Sequence, residues 1–144
     1  MKPTVPDVGL SDAEITARLR ECGVRMTAQR LRIARVLLAA PRHLDAEQVA
    51  AALLRGSGAR ISKATIYNTL NLFVQRGLLR PLAVGLSKTS FDSNVSAHYH
   101  FHDEHSGALI DLPLPEVEFA RLPPPPPGME VAGIDLVIRL RKQS

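Results

Sequence analysis

The segment "SAHYHFHDEH", residues 96–105, holds four of the chain's five histidines within eight residues. They alternate with Tyr99 and Phe101 and are followed by Asp103 and Glu104. Imidazoles and carboxylates at this density bind cations or move protons. The alternation predicts a strand over residues 98–102, with His98, His100 and His102 on one face and Tyr99 and Phe101 packed inward on the other. Same-face neighbours stand roughly 6–7 Å apart along a strand. Two imidazoles at that spacing can lean onto one ion at about 2.0–2.1 Å from each nitrogen. Histidines alone leave such a site incomplete. Asp92, Asp111 and the remaining histidine, His43, are the candidates to complete it. A mixed nitrogen and oxygen shell suits Zn²⁺, Fe²⁺ or Mn²⁺ without choosing among them.

The elements that must position these groups change character along the chain. "LSDAEITARLRECG" reads as a helix capped by Ser11, with Glu14 at the capping-box position and Gly23 as terminator. "MTAQRLRIARVLLAAP" reads as a second, capped by Thr27 and stopped by Pro41, with Leu31, Ala34, Leu37 and Leu38 as its apolar stripe. "LDAEQVAAALLRGSG" is a third, capped by Asp45 and closed by Gly56 and Gly58. "ISKATIYNTLNLFVQRGL" is a fourth, capped by Ser62 and ended by Gly77, with Ile66, Leu70, Phe73 and Val74 inward. The period then switches to two. "LLRPLAVGLSKTSFD" predicts a hairpin around a Gly85–Leu86–Ser87 turn, with Arg80 and Lys88 projecting.

Helices followed by a basic hairpin form the layout of a winged helix-turn-helix. Its last helix enters the DNA major groove and its hairpin touches phosphates. Ser62, Lys63, Thr65, Tyr67 and Asn68 then form the reading face, with Arg80 and Lys88 on the wing. Charge agrees. Residues 1–92 hold 14 Lys and Arg against 7 Asp and Glu, a net of +7, and residues 93–144 hold 4 against 7, a net of −3. The first half is suited to a polyanion.

Beyond residue 92, "HYHFH", "ALIDL" and "EVAGIDLVIRLRK" predict about three strands, the last with Ile134, Leu136, Ile138 and Leu140 on one face. "PEVEFARL" predicts one or two helical turns, ended by the five prolines at 123–127. So small a sheet buries little alone and calls for a second subunit. The expected fold class is α+β. A flexible N-terminal arm (1–10) leads into a winged-helix DNA-binding domain (11–92). A small α/β dimerisation and ligand-sensing domain follows (93–144).

No apolar run approaches the roughly 20 residues that span a membrane, and the N-terminus lacks the apolar core of a signal peptide. The expected location is therefore cytoplasmic, with no membrane partner. The single cysteine, Cys22, supplies neither an internal disulfide nor a multi-cysteine zinc site. Two other functions compete with DNA binding. His98, His100 and Glu104 have the spacing of a cupin metal site, and His100, His102, Glu104 and His105 approximate that of binuclear zinc hydrolases. Both folds need more strands than this helix-rich chain offers. No nucleophile elbow or phosphate loop is present. A small His-rich metal-dependent enzyme or a metal-binding storage protein is the alternative.

"MTAQRLRIARVL", "HLDAEQV", "KATIYNTLNLFVQRGLL", "KTSFD" and "HYHFH" resemble, in order and spacing, the Fur superfamily of metal-responsive repressors. "KTSFDSNVSAHYHFHDEHSGALIDL" and "GIDLVIRLRKQS" are most similar to the iron response regulators of alphaproteobacteria, the Irr branch. The resemblance implies a homodimer that binds a double-stranded DNA operator and controls iron and haem metabolism genes. It implies a metal site made by His43, Asp92, His98, His100 and Asp111, with Asp where many relatives carry Glu at the two carboxylates. It implies Arg25 in the minor groove and Tyr67 with Asn68 in the major groove. Where many relatives carry C-x-x-C for structural zinc, this chain has Asp103 and Ser106. Ala97 and Tyr99 break a second histidine–aspartate site. The branch responds to haem, so haem or a haem-synthesis enzyme is an implied partner. Imidazole is a good axial ligand, which makes His98, His100 and His102 the candidate haem ligands.

Overall fold

The structure, a computed structural model, describes residues 10–39, 43–57, 60–84 and 88–144. Residues 1–9 of the expected arm, Pro41, Gly58 and the Gly85–Leu86–Ser87 turn lie outside the described residues. The elements, in chain order, are α1 (Asp12–Glu21), α2 (Ala28–Leu38), β1 (His43–Asp45), α3 (Ala46–Ser57), α4 (Lys63–Gln75), β2 (Arg80–Val84) and β3 (Lys88–Asp92). They continue with β4 (Tyr99–Asp103), β5 (Leu109–Leu112), a 3₁₀ turn (Leu114–Glu116) and β6 (Val137–Leu140). The fold class is α+β. The chain divides into two compact units, Met1–Val95 and Ser96–Ser144.

In the first unit each helix starts where a side chain can satisfy its free N–H groups. Ser11 and Glu14 form a reciprocal capping box on α1. Thr27 accepts from Arg30 N on α2. Asp45 and Gln48 exchange backbone hydrogen bonds at 2.8 and 2.9 Å at the start of α3. Ser62 accepts from Thr65 N on α4. The core holds Ile15, Leu19, Ile33, Leu37, Val49, Ile66, Leu70 and Phe73, all nearly free of solvent. Each such side chain contributes about 1.5–3 kcal/mol by leaving water. Together they fix which flank of α4 turns outward. Two inward assignments differ from the sequence reading. Ile33 is fully buried where Leu31 was expected, and Thr69 is buried where Val74 is only partly so. Leu10, assigned to the arm, packs partly against this core.

The three-stranded sheet of this unit has the order β1-β3-β2. Its central strand, β3, sets His43 opposite Asp92 on one side and Arg80 opposite Asp92 on the other. The hairpin β2–β3 was expected. The three-residue β1 was not.

The second unit is a three-stranded sheet of order β5-β4-β6, with β5 antiparallel and β6 parallel to β4. Register pairs His100 with Asp111. β4 begins at Tyr99, one residue later than expected, and β6 is confined to 137–140, so Ile134 and Leu136 precede it. "PEVEFARL" yields only the 3₁₀ turn Leu114–Glu116. Pro113, Pro115 and Pro123 lack the N–H groups a longer helix needs.

The turn between β4 and β5 is tightly bonded. Asp103 accepts from His105 N at 2.9 Å and from Ser106 Oγ at 2.7 Å. Gly107 N donates to the Asp103 carbonyl at 2.8 Å, and Gly107 takes the φ of 77° that favours glycine. Asp103 and Ser106 thus meet by hydrogen bonding where the sequence resemblance sets cysteines. The Ser106 hydroxyl and then the His105 N–H hold the Asp103 carboxyl below its usual pKa. Its contribution to stability is therefore complete above the unfolded carboxylate value, about 3.9, and is lost as pH falls through the lower folded value. Carboxyl NMR titration of Ser106→Ala is expected to show the Asp103 pKa rising toward the ordinary range.

Candidate functional site

Two groups of ligand-type side chains stand out, one in each unit. In the first, Asp92 is 1% exposed. Asn94 N donates to its Oδ1 at 2.8 Å, and His43 Nε2 lies 3.0 Å from its Oδ2. A carboxylate so deeply buried needs a positive or hydrogen-bonding partner on each oxygen. β1 exists to bring His43 to that oxygen, since its three residues pair with Asp92, Phe91 and Ser90.

In the second unit, His98 and His100 are 6% and 2% exposed. Their Nε2 atoms lie 3.4 and 3.7 Å from Asp111 Oδ1, and their rings meet edge-on with centroids 4.5 Å apart. Asp111 is placed by the strand register opposite His100. His98 Nδ1 lies 2.6 Å from the Ser96 carbonyl oxygen. A carbonyl only accepts, so Nδ1 carries the proton. Nε2 then faces an anionic oxygen of Asp111. A proton or a cation can bridge two such atoms at 3.4 Å.

These distances suit a metal ion. Two atoms bound tetrahedrally at about 2.0–2.2 Å stand about 3.3–3.6 Å apart. The bond from His98 Nδ1 to a backbone carbonyl is the outer contact that metal-binding histidines commonly make. His102, half-buried, does not join His98, His100 and Asp111. Tyr99 is buried, as expected from the alternation, and its ring meets Phe119 edge-on at 6.0 Å. Phe101 is only half-buried.

The nucleic-acid candidates all fall in the first unit. Lys63, Tyr67 and Asn68 are exposed on the outward flank of α4. Ser62 and Thr65 are engaged in the helix cap, with their hydroxyl oxygens 2.9 Å apart. Arg25 is exposed, and its carbonyl accepts from Arg30 Nη1 at 2.7 Å, which fixes the loop before α2. Lys88 is exposed at the start of β3, 4.0 Å from Asp45. Arg80 stands at the base of the wing, opposite Asp92, not at its tip. No helix among the described residues is long and apolar enough to cross a membrane.

The pattern of the ferric uptake regulator family matches residues 21–123. The chain belongs to that family. Family members are transcription regulators, which takes the enzyme alternative no further. The peroxide-responsive repressor PerR of Staphylococcus aureus is 39% identical over 110 residues, covering 76% of this chain and 74% of that protein. The manganese-containing structure of the ferric uptake regulator from Pseudomonas aeruginosa aligns over 90% of this chain and 98% of its own, at 25% identity and a TM-score of 0.64. A zinc-bound manganese uptake regulator aligns over the same shares at 25% identity and a TM-score of 0.70. The solved family structures thus include manganese and zinc forms, and this family member carries His and Asp groups able to take such ions.

Nitrogen-15 NMR of the histidine rings in metal-free protein near pH 7 tests the tautomer argued for His98. The expected spectrum shows Nδ1 protonated. The opposite tautomer would remove the case for Nε2 as a ligand atom.

Proposed function

We propose that the protein is a dimeric, iron-responsive transcriptional regulator of the Irr type. The first unit reads operator DNA through α4, and the second dimerises and senses the ligand. The observation that carries this reading is the convergence of the His98 and His100 Nε2 atoms on Asp111 Oδ1, on a strand covalently close to Asp92. Asp92 and His98 are separated by five residues. Fully extended, that stretch spans no more than about 20 Å. The two groups are read as halves of one site: His43 and Asp92 from one unit, His98, His100 and Asp111 from the other. Three imidazoles and two carboxylates suit Fe²⁺, Mn²⁺ or Zn²⁺. A bound divalent ion supplies the positive charge that joins these ligands. Its occupancy would then set the freedom of the DNA-reading unit, and hence its affinity.

The second unit leaves Ile110, Leu114, Phe119, Leu122, Ile138 and Leu140 exposed. So much apolar surface on a three-stranded sheet supports a second copy as its cover. A two-fold dimer reads a palindromic site. The basic first half supports phosphate binding that weakens steeply with salt. Haem fits the same ligands less directly. His98 and His100 are buried, so capture of either by haem iron requires the start of β4 to open. His102, half-buried, is reached with less rearrangement. Capture of His98 or His100 by haem would compete with the ion these residues hold and release DNA.

Asp111→Ala and His100→Ala are each expected to lower Mn²⁺ or Zn²⁺ affinity by more than the about 10–100-fold that loss of an outer partner of a metal ligand costs. Chelator competition measures this, and metal-dependent duplex binding should fall with it. Unaltered metal affinity in both variants would break the site. Lys63→Ala should weaken duplex binding and lower the slope of log K against log salt by about 1. A haem titration followed by Soret absorbance should lose its response in His98→Ala/His100→Ala/His102→Ala. A response that survives there places haem elsewhere.

A further inference from the structure

We propose that the groove between the start of α2 and one flank of α4 seats a sugar-phosphate strand of the bound duplex. This rests on the reading of α4 as the recognition helix. The groove has a volume of about 600 Å³. Gln29 and Arg30 line it from α2, and Thr65, Asn68, Asn71 and Gln75 line it from α4. Asn68, Asn71 and Gln75 are exposed and recur at three- and four-residue spacing. They therefore form one stripe, about 10 Å long at about 1.5 Å per residue.

The stripe carries amides and no charge. That is an unusual choice for an exposed helix flank. Lys, Glu or Ala would support the helix and solubility better, and Asn is a poor helix former. Amide N–H groups are, however, good donors to phosphate oxygens and cost less to desolvate than an ammonium.

The dimensions assign the strand to this place. An α-helix with its side chains is about 10–12 Å across, and the B-DNA major groove is about 12 Å wide. A helix lying in it leaves little room beside it, so each flank faces one of the two bordering strands. One flank of α4 carries Lys63 and Tyr67, next to Glu47 of α3. The other flank is the wall of the amide-lined groove. A strand in that groove meets donors from both sides, Gln29 and Arg30 on one and Asn71 and Gln75 on the other. Tyr67 and Asn68 remain turned toward the bases. The three outlying amides, Gln29, Asn71 and Gln75, thus hold the duplex in register without reading its sequence.

The test is the variant Q29A/N71A/Q75A in the full-length, metal-loaded protein. All three residues are exposed, so the thermal melt should match the wild type and exclude a folding defect. Binding is measured on two duplexes, one of random sequence and one selected for wild-type binding, between about 50 and 200 mM salt. Losing several hydrogen bonds to phosphate should weaken both complexes by about tenfold or more. The salt slope should stay unchanged, because no cation has been removed. Asn71→Asp, which sets an anion against the phosphates, should weaken binding more than Asn71→Ala. Wild-type affinity in the triple variant would overturn the proposal. So would a loss confined to the selected duplex, since the amides would then be reading base edges. A wild-type protein that binds neither duplex defeats the recognition-helix reading, and this seat with it.

Discussion

The burial of Asp92 constrains everything around it. A carboxylate that is 1% exposed is stable only with partners on both oxygens, and the fold supplies them from different directions. Asn94 N serves one oxygen and His43 the other. To bring His43 there, the chain must leave α2, pair three residues with β3 and enter α3 without a gap. Asp45, the last residue of that strand, then caps α3 through Gln48. β1 and the first turn of α3 are thus one continuous piece. Val49 and Leu53 of α3 belong to the same core as Ile66, Leu70 and Phe73 of α4. A change at His43 and Asp92 is therefore felt within two packed elements of α4. Such packing is a route for coupling, and only a measured change in affinity makes it allostery.

The second unit places its ligands by different means. Strand alternation brings His98 and His100 two residues apart, and the register of β5 adds Asp111. Tyr99, between the histidines, is buried and meets Phe119. This packing on the opposite side limits how β4 can rotate. The bond from His98 to the Ser96 carbonyl orients one ring. Preorganisation of this kind lowers the ordering cost of binding.

Much of this was legible in local patterns, because the relevant forces act over a few residues. Helix starts follow from Ser11, Thr27, Asp45 and Ser62, whose side chains bond within their own first turns. The histidine alternation gave β4 and the buried Tyr99. β1 was not legible, since three residues carry no period and its existence depends on pairing with β3 nearly fifty residues later. Ile33 was missed because an apolar helix face tolerates more than one stripe, and only packing decides between them. His98 was assigned to a strand, but its ring bond to Ser96 belongs to the preceding loop. His98 and His100 could be read from spacing. His43, Asp92 and Asp111 were named as candidates, but only the pairings of β1 with β3 and of β5 with β4 show where each stands.

The turn at Asp103 bears on what a sensing metal can do in this chain. Where a structural ion pins a sheet, removing metal threatens the fold itself. Here the β4–β5 turn is closed by Asp103, Ser106 and Gly107 through hydrogen bonds alone. The strand carrying His98 and His100 is thus tied to its hairpin partner, with Asp111 opposite His100, by bonds that need no ion. The free energy of metal binding is then not consumed in building the sheet. It remains available as a difference between two folded states, which is the only form in which a ligand can shift DNA affinity. By contrast, the buried pair His43 and Asp92 sits at the end of β3, close in sequence to the boundary between the units. A β4–β5 turn closed by hydrogen bonds in one unit, together with the buried pair His43 and Asp92 in the other, leaves any gain from an ion to appear as a difference between folded states.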